Sequence, residues 1–174
     1  GGVSNNWLIC LADSRVDFTK QNLVGPGKIL MLELNTAHSD GKALPAGTFN
    51  VLNPMEITAA ASLTPFTVVP GLSAEDGSIY GTWYLATDTQ GGDFQPLCAA
   101  QKGTVSVKKT GDTYTIDFDI TDDDFKISVK GSYTGKPYIH DGTADTTSVS
   151  TRTTAASGKA LNIHKSARRQ AFRK

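Results

Sequence analysis

An all-β fold is predicted for this chain: a single antiparallel β-sandwich, jelly-roll-like, of roughly eight to eleven strands, with a calycin-like β-barrel as the structural alternative. Three observations carry that expectation. Apolar and polar residues alternate with a period of two along most of the sequence, the spacing that sends successive side chains to opposite faces of a strand. Gly, Thr, Ser and Asp are abundant while Met occurs only twice, a composition of turns and strands rather than helices. The length of 174 residues, with 39% hydrophobic and 20% charged side chains, suits one core and not two. Closing or doubling the sheet is expected because so many strands would otherwise expose unpaired edges.

The elements follow in order. In WLICLA, Trp7, Ile9 and Leu11 alternate with Leu8, Cys10 and Ala12, so this strand is apolar on both faces and central. KILMLEL sets Ile29, Met31 and Glu33 against Leu30, Leu32 and Leu34, again with both faces buried. A turn at Ser39-Asp40-Gly41 precedes LPAGTFNV, where Pro45 presets its own φ and Gly47 is expected to take a backbone angle that side chains resist. That octapeptide resembles a catalytic loop offering the Thr48 hydroxyl, but no base or metal ligand lies near it in sequence, so it reads as a corner that starts a strand. The stretch from Asn53 to Gly77 is the least regular, offering one short helix and one edge strand broken by prolines.

Alternation returns in SIYGTWYLATD, with Tyr80, Thr82 and Tyr84 opposing Ile79, Trp83 and Leu85. A hairpin pairs Thr104–Lys108 with Thr113–Ile120, its second strand dry along Ile116, Phe118 and Ile120 and wet along Asp117 and Asp119. Asp122-Asp123-Asp124 turns the chain into FKISVKGSYTG, and these four runs read as an antiparallel meander. Beyond Gly142 the Thr- and Ser-rich TADTTSVSTRTTAASGK is a loop, an exposed strand or a linker. The division expected is a β-domain over residues 1–158, then a last strand and basic tail over 159–174. The formal net charge of zero conceals this division: all 17 acidic residues lie at or before Asp145, and residues 159–174 hold six of the 17 basic ones with no acid. The body therefore carries 11 basic and 17 acidic side chains, a net of −6.

Most reaction chemistries lack their residues. The acidic run Asp117, Asp119, Asp122, Asp123 and Asp124 has neither the central glycine nor the closing glutamate of a calcium-binding helix-loop-helix, and reads as a strand face with a solvated turn. His38, His140 and His164 with Cys10 and Cys98 are too dispersed for zinc, and no metal or other cofactor is expected. The two cysteines could pair only if their strands meet. There is no G-x-S-x-G elbow, and in GSYTGKP the glycine spacing and the proline after Lys136 exclude a phosphate loop. The basic tail lacks interleaved aromatics apart from Phe172, so no nucleic-acid partner is expected. No transmembrane segment is expected, since no apolar run approaches roughly 18 residues. No positively charged segment followed by an apolar run opens the sequence, so either the protein is cytosolic or a signal peptide has been removed, and the opening Gly1-Gly2 fits a trimmed mature domain with a tag remnant. Aromatic side chains are the remaining lead: Trp7 and Trp83 belong to the core, and Tyr80, Tyr84, Tyr133 and Tyr138 are candidates for exposed rings.

The succession WLICLAD, GKILMLEL, LPAGTFNV and GTVSVKKTGDTYTIDFDITDDDFKISVKGSYTG resembles a group of uncharacterised secreted or lipid-anchored β-domains of Bacteroides-type gut bacteria. In that group leucine-rich strands, an L-P-A-G-T-[YF] turn and a G-x-Y-T-I…G-x-Y-x-G hairpin recur. The resemblance covers Trp7 to Lys136 and implies an extracytoplasmic β-sandwich or barrel, periplasmic or at the outer cell surface. It brings no catalytic residues with it. The function expected is a non-enzymatic binding module for a glycan or another small ligand, with Tyr80, Tyr84 and Tyr138 as ligand-binding residues and no catalytic ones. The alternative is a structural or adhesin-like module contacting a surface protein through sheet edges or the tail; a hydrolase built on His140 and Asp141 comes third.

Overall fold

Alternation is realised as twelve strands and one turn of 3-10 helix in the computed structural model, which describes residues 4–13, 16, 26–39, 43–57, 64–87 and 94–142. The strands are β1 (Ser4–Ala12), β2 (Gly27–Ala37), β3 (Gly47–Val51), β4 (Thr67–Val68), β5 (Leu72–Ser73), β6 (Ile79–Tyr80), β7 (Trp83–Thr87), β8 (Phe94–Ala99), β9 (Lys102–Thr110), β10 (Thr113–Asp122), β11 (Ile127–Gly135) and β12 (Tyr138–Asp141). The helical turn is Pro54–Glu56, where Asn53 caps the Met55 N–H through its Oδ1 and proline enters at the first turn.

Ten strands form one curled mixed sheet, a half-barrel: eight run in the order β11-β10-β9-β3-β4-β2-β1-β12, and β7 and β8 branch from β2. The all-β class is as expected. One pairing, β3 with β4, is parallel, which the antiparallel reading did not include. The long strand β2 forks the sheet: Gly27–Met31 pair with β7, and Leu34 and Asn35 pair with β4 on the same edge. At the fork the Glu33 N–H donates to Thr82 Oγ1 at 3.0 Å and its carbonyl accepts the Val69 N–H at 2.8 Å, so no β2 hydrogen bond is wasted there. Among the described residues β8 pairs only with β7, and this edge position is what admits Pro96.

Both faces of the β1–β2 region are covered, as the doubly apolar runs require. The inner face carries the main core, including Trp7, Ile9, Leu32, Leu34, Phe49, Val105, Ile116 and Ile120. The outer face carries a smaller cluster of Ile29, Ile79, Trp83, Leu85 and Phe94, with Cys10, Ala12 and Met31 against it. Trp7 and Trp83 are thus both core residues, on opposite faces.

Several expectations change. The meander has three strands, β9-β10-β11; the run containing Trp83 crosses to pair with β2 and β8, and β9 instead takes β3 as its second neighbour. The edge strand expected between Asn53 and Gly77 is β4, which lies inside the sheet because Val68 is wholly buried and is needed to bridge β3 and β2. Gly47 does not take a left-handed angle, so the LPAG corner depends on Pro45 and on burial of Leu44 and Phe49. Glycine is required elsewhere. Gly111 opens the two-residue β9–β10 turn at φ +59, and Gly131 lies under the Phe118 ring, where a Cβ would stand 2.5 Å from Cζ. The turn at Asp40-Gly41, the segment 143–158 and the last strand and tail over 159–174 lie outside the described residues.

Candidate functional site

The candidate site lies where one strand outruns its neighbour. β12 pairs antiparallel with β1 from Trp7↔Asp141 to Cys10↔Tyr138, so the next rung would oppose Leu11 and Pro137. That rung is a non-hydrogen-bonded one, because the Gly142 N–H donates to the opposed Asn6 carbonyl and hydrogen-bonded pairs recur at every second residue, so Pro137 sits where β1 needs no N–H from it, and the pairing ends at Tyr138. Leu11 and Ala12 run on past the start of β12, while the chain arrives from β11 through Gly135 and Lys136. The gap is an open groove of about 480 Å³ lined by Cys10, Ala12, Tyr133, Lys136, Pro137 and Tyr138.

Its walls are apolar or aromatic with one charge. Tyr138 is 67% exposed, a large ring left in solvent. Tyr133 is half-buried with its body against the main core. Burial pushes the Cys10 thiol from its ordinary value of 9.0 to about 12, so at neutral pH it is an uncharged, apolar part of the wall. The Lys136 ammonium lies 3.2 Å from Asp112 Oδ2.

Of the three tyrosines expected to bind ligand, the structure brings Tyr138 to this groove, beside Tyr133. Tyr84, on β7, packs toward the main core, and Tyr80, on β6, is half-buried with its carbonyl accepting the Trp83 indole N–H at 2.8 Å. Neither lines the groove. His140 and Asp141 are consecutive residues of β12 opposite Leu8 and Trp7, not members of a loop, and as strand neighbours they leave opposite faces. His38 Nδ1 lies 3.0 Å from Asn5 Oδ1. The cysteines are free: Cys98 is buried in the main core on β8, and two strands, β2 and β7, separate β8 from β1, too far for a bridge. Burial, then the nearby Asp122 carboxylate, push its thiol up to about 11.

The acidic run is partly a turn scaffold. Asp122 is 3% exposed; its Oδ2 accepts the Ala99 N–H and its Oδ1 those of Asp124 and Phe125. Gln101 Oε1 accepts from Asp123 and Asp124, and Lys102 pairs with Asp123. These bonds fix the β10–β11 turn. Among the described residues no three His, Cys, Asp or Glu side chains converge as metal ligands would.

One polar centre escaped the sequence reading. On the outer face, Asn6 Nδ2 donates to Glu33 Oε1 at 3.1 Å and to Asn35 Oδ1 at 3.0 Å, Asn35 Nδ2 donates to Thr67 Oγ1 at 3.1 Å, and Thr67 Oγ1 donates to the Thr64 carbonyl. Asn6, Asn35 and Glu33 are all buried. The network ties β1 and β2 to β4 at the fork. The signal was a charge in the middle of KILMLEL, where a dry face rejects an unpaired carboxylate.

Compared with family models, curated proteins and solved structures, the chain matches none of them.

Proposed function

We propose that this protein is a non-enzymatic, extracytoplasmic binding module that holds a glycan in the groove between Tyr133 and Tyr138. The observation that carries this reading is the Tyr138 ring, two-thirds exposed at the rim of an open groove whose other walls are aromatic or apolar except for Lys136. An exposed ring that contributes little to the core costs solvation for no stability, and stacking on the apolar face of a sugar ring gives it a use. Half-buried Tyr133 is a fixed second wall, which limits the side-chain entropy lost on binding. The extracytoplasmic setting rests on the sequence resemblance described above.

The test is a glycan microarray with the wild-type protein and the Tyr138→Ala and Tyr133→Ala variants. Binding that survives in Tyr80→Ala and disappears in Tyr138→Ala supports the groove. Binding indifferent to Tyr138 removes it. A second reading, attachment to a surface protein, is favoured by β11, an exposed nine-residue strand that pairs only with β10 among the described residues. Long edges of that kind accept added strands. A pull-down lost on changing Val129 to Pro, with the microarray unchanged, would favour it.

A further inference from the structure

We infer that the groove selects a carboxylated sugar, a hexuronic acid, with Lys136 as the residue that reads the carboxylate. This inference rests on the glycan reading above and adds the ligand's charge to it. Of the six residues lining the groove, Lys136 alone is charged, in a body whose net charge over residues 1–158 is −6. A cation held there makes a local attraction for an anion that the rest of the surface repels.

Geometry sets the ligand's dimensions. Lys136 precedes a proline, which restricts it to extended backbone and so limits the directions its side chain can leave. Lys136 and Tyr138 are two residues apart in that extended segment and both are exposed, whereas Pro137 between them is half-buried. They stand on the same side, roughly 6.6 Å apart along the chain. One monosaccharide stacked on Tyr138 therefore extends its carboxylate toward the ammonium.

The ammonium is available to it. Its present partner, Asp112, forms a pair whose side chains are 73% and 84% exposed. An ion pair so open to water and salt is weak and readily exchanged. In the groove the carboxylate would meet the same ammonium against Pro137 and two tyrosines, with less water to compete. Asp112 is then a competitor for Lys136, and removing it should strengthen acid binding.

The experiment titrates the full chain with a galacturonic acid trimer and with its methyl ester, the same sugar without charge, followed by two-dimensional NMR. The expected result is tighter binding of the acid by about threefold or more, a preference abolished in Lys136→Met and reduced by salt. Asp112→Asn should tighten the acid and leave the ester unchanged. If acid and ester both bind through Tyr138 with equal affinity, or if Lys136→Met keeps the preference, the charge inference is overturned and the glycan groove stands. If neither trimer nor any array glycan shows Tyr138-dependent binding, both fall. The substituted residues are exposed, and unchanged amide spectra outside the groove verify that each variant is folded.

Discussion

Replacing Asn35 by alanine tests whether the buried polar chain holds the fork of the sheet together. Asn35 is fully buried, accepts from Asn6 through its side-chain oxygen and donates to Thr67 through its nitrogen. The substitution breaks both bonds. Thr67 still donates to the Thr64 carbonyl, but one N–H of Asn6 loses its partner in a place water does not reach. An orphaned buried donor costs about 1–3 kcal/mol, and the lost bond to Thr67 adds about 1 kcal/mol. The expected destabilisation is about 3 kcal/mol, a substantial part of the 5–15 kcal/mol typical of a domain. In urea unfolding followed by tryptophan fluorescence, the midpoint should fall while the slope stays unchanged. The double variant Asn6→Ala/Asn35→Ala should cost clearly less than the sum of the two single ones, because the second change removes the group that the first orphaned. A loss below about 0.5 kcal/mol in Asn35→Ala, the size of a surface substitution, would refute the reasoning, as would strict additivity in the double variant.

Three further outcomes are expected. Gly131→Ala should cost about 1–3 kcal/mol because its Cβ would intrude on Phe118, and adding Phe118→Leu should recover part of it, measured by thermal unfolding. Cys10 keeps its proton in the folded protein to about pH 12, whereas the unfolded chain releases it near its ordinary value of 9.0. Its contribution is therefore complete below pH 9 and lost as pH rises from 9 toward 12. Stability in that window should fall less steeply in Cys10→Ala, by up to about 1.4 kcal/mol per pH unit, as read from urea midpoints at successive pH values. Lys130→Ala breaks a 2.9 Å pair with Asp119 in which the lysine is largely exposed, and should change stability by no more than about 0.5 kcal/mol in the same assay.

Much of the fold was legible because burial imposes a local period. WLICLA and KILMLEL announced two-faced strands, and Ile116 and Ile120 announced a wet-and-dry one, with the inward positions read correctly. What failed was non-local. That Trp83's strand crosses to β2, and that Thr67-Val68 fills a gap inside the sheet, depend on which edges remain open once the others have paired. No local pattern records that. The site divides in the same way. Tyr138 was visible as an aromatic beside turn residues, but Tyr80 and Tyr84 looked equivalent to it, since exposure is a property of the finished surface. The groove depends on β12 beginning opposite Cys10 while β1 runs on to Ala12, a coincidence of two segments far apart in sequence. Glu33 stood out by its charge, yet its partner Asn6, and Asn35 and Thr67 beyond it, could be identified only once strand register was fixed.

The strands at the two ends of the sheet, β11 and β12, are consecutive in the chain, separated by Lys136 and Pro137. The pairing of β12 with β1 joins residues about 130 positions apart, Trp7 with Asp141. Contacts of such high sequence separation incur the largest loop-closure entropy and belong to the late stages of folding. With four rungs on one side holding it, β12 is the strand of the large sheet's β1 end whose amide protons should exchange early with deuterium. A ligand seated on Tyr138 would then act as a latch, slowing that exchange and making occupancy of the groove measurable as protection of the last strand to join.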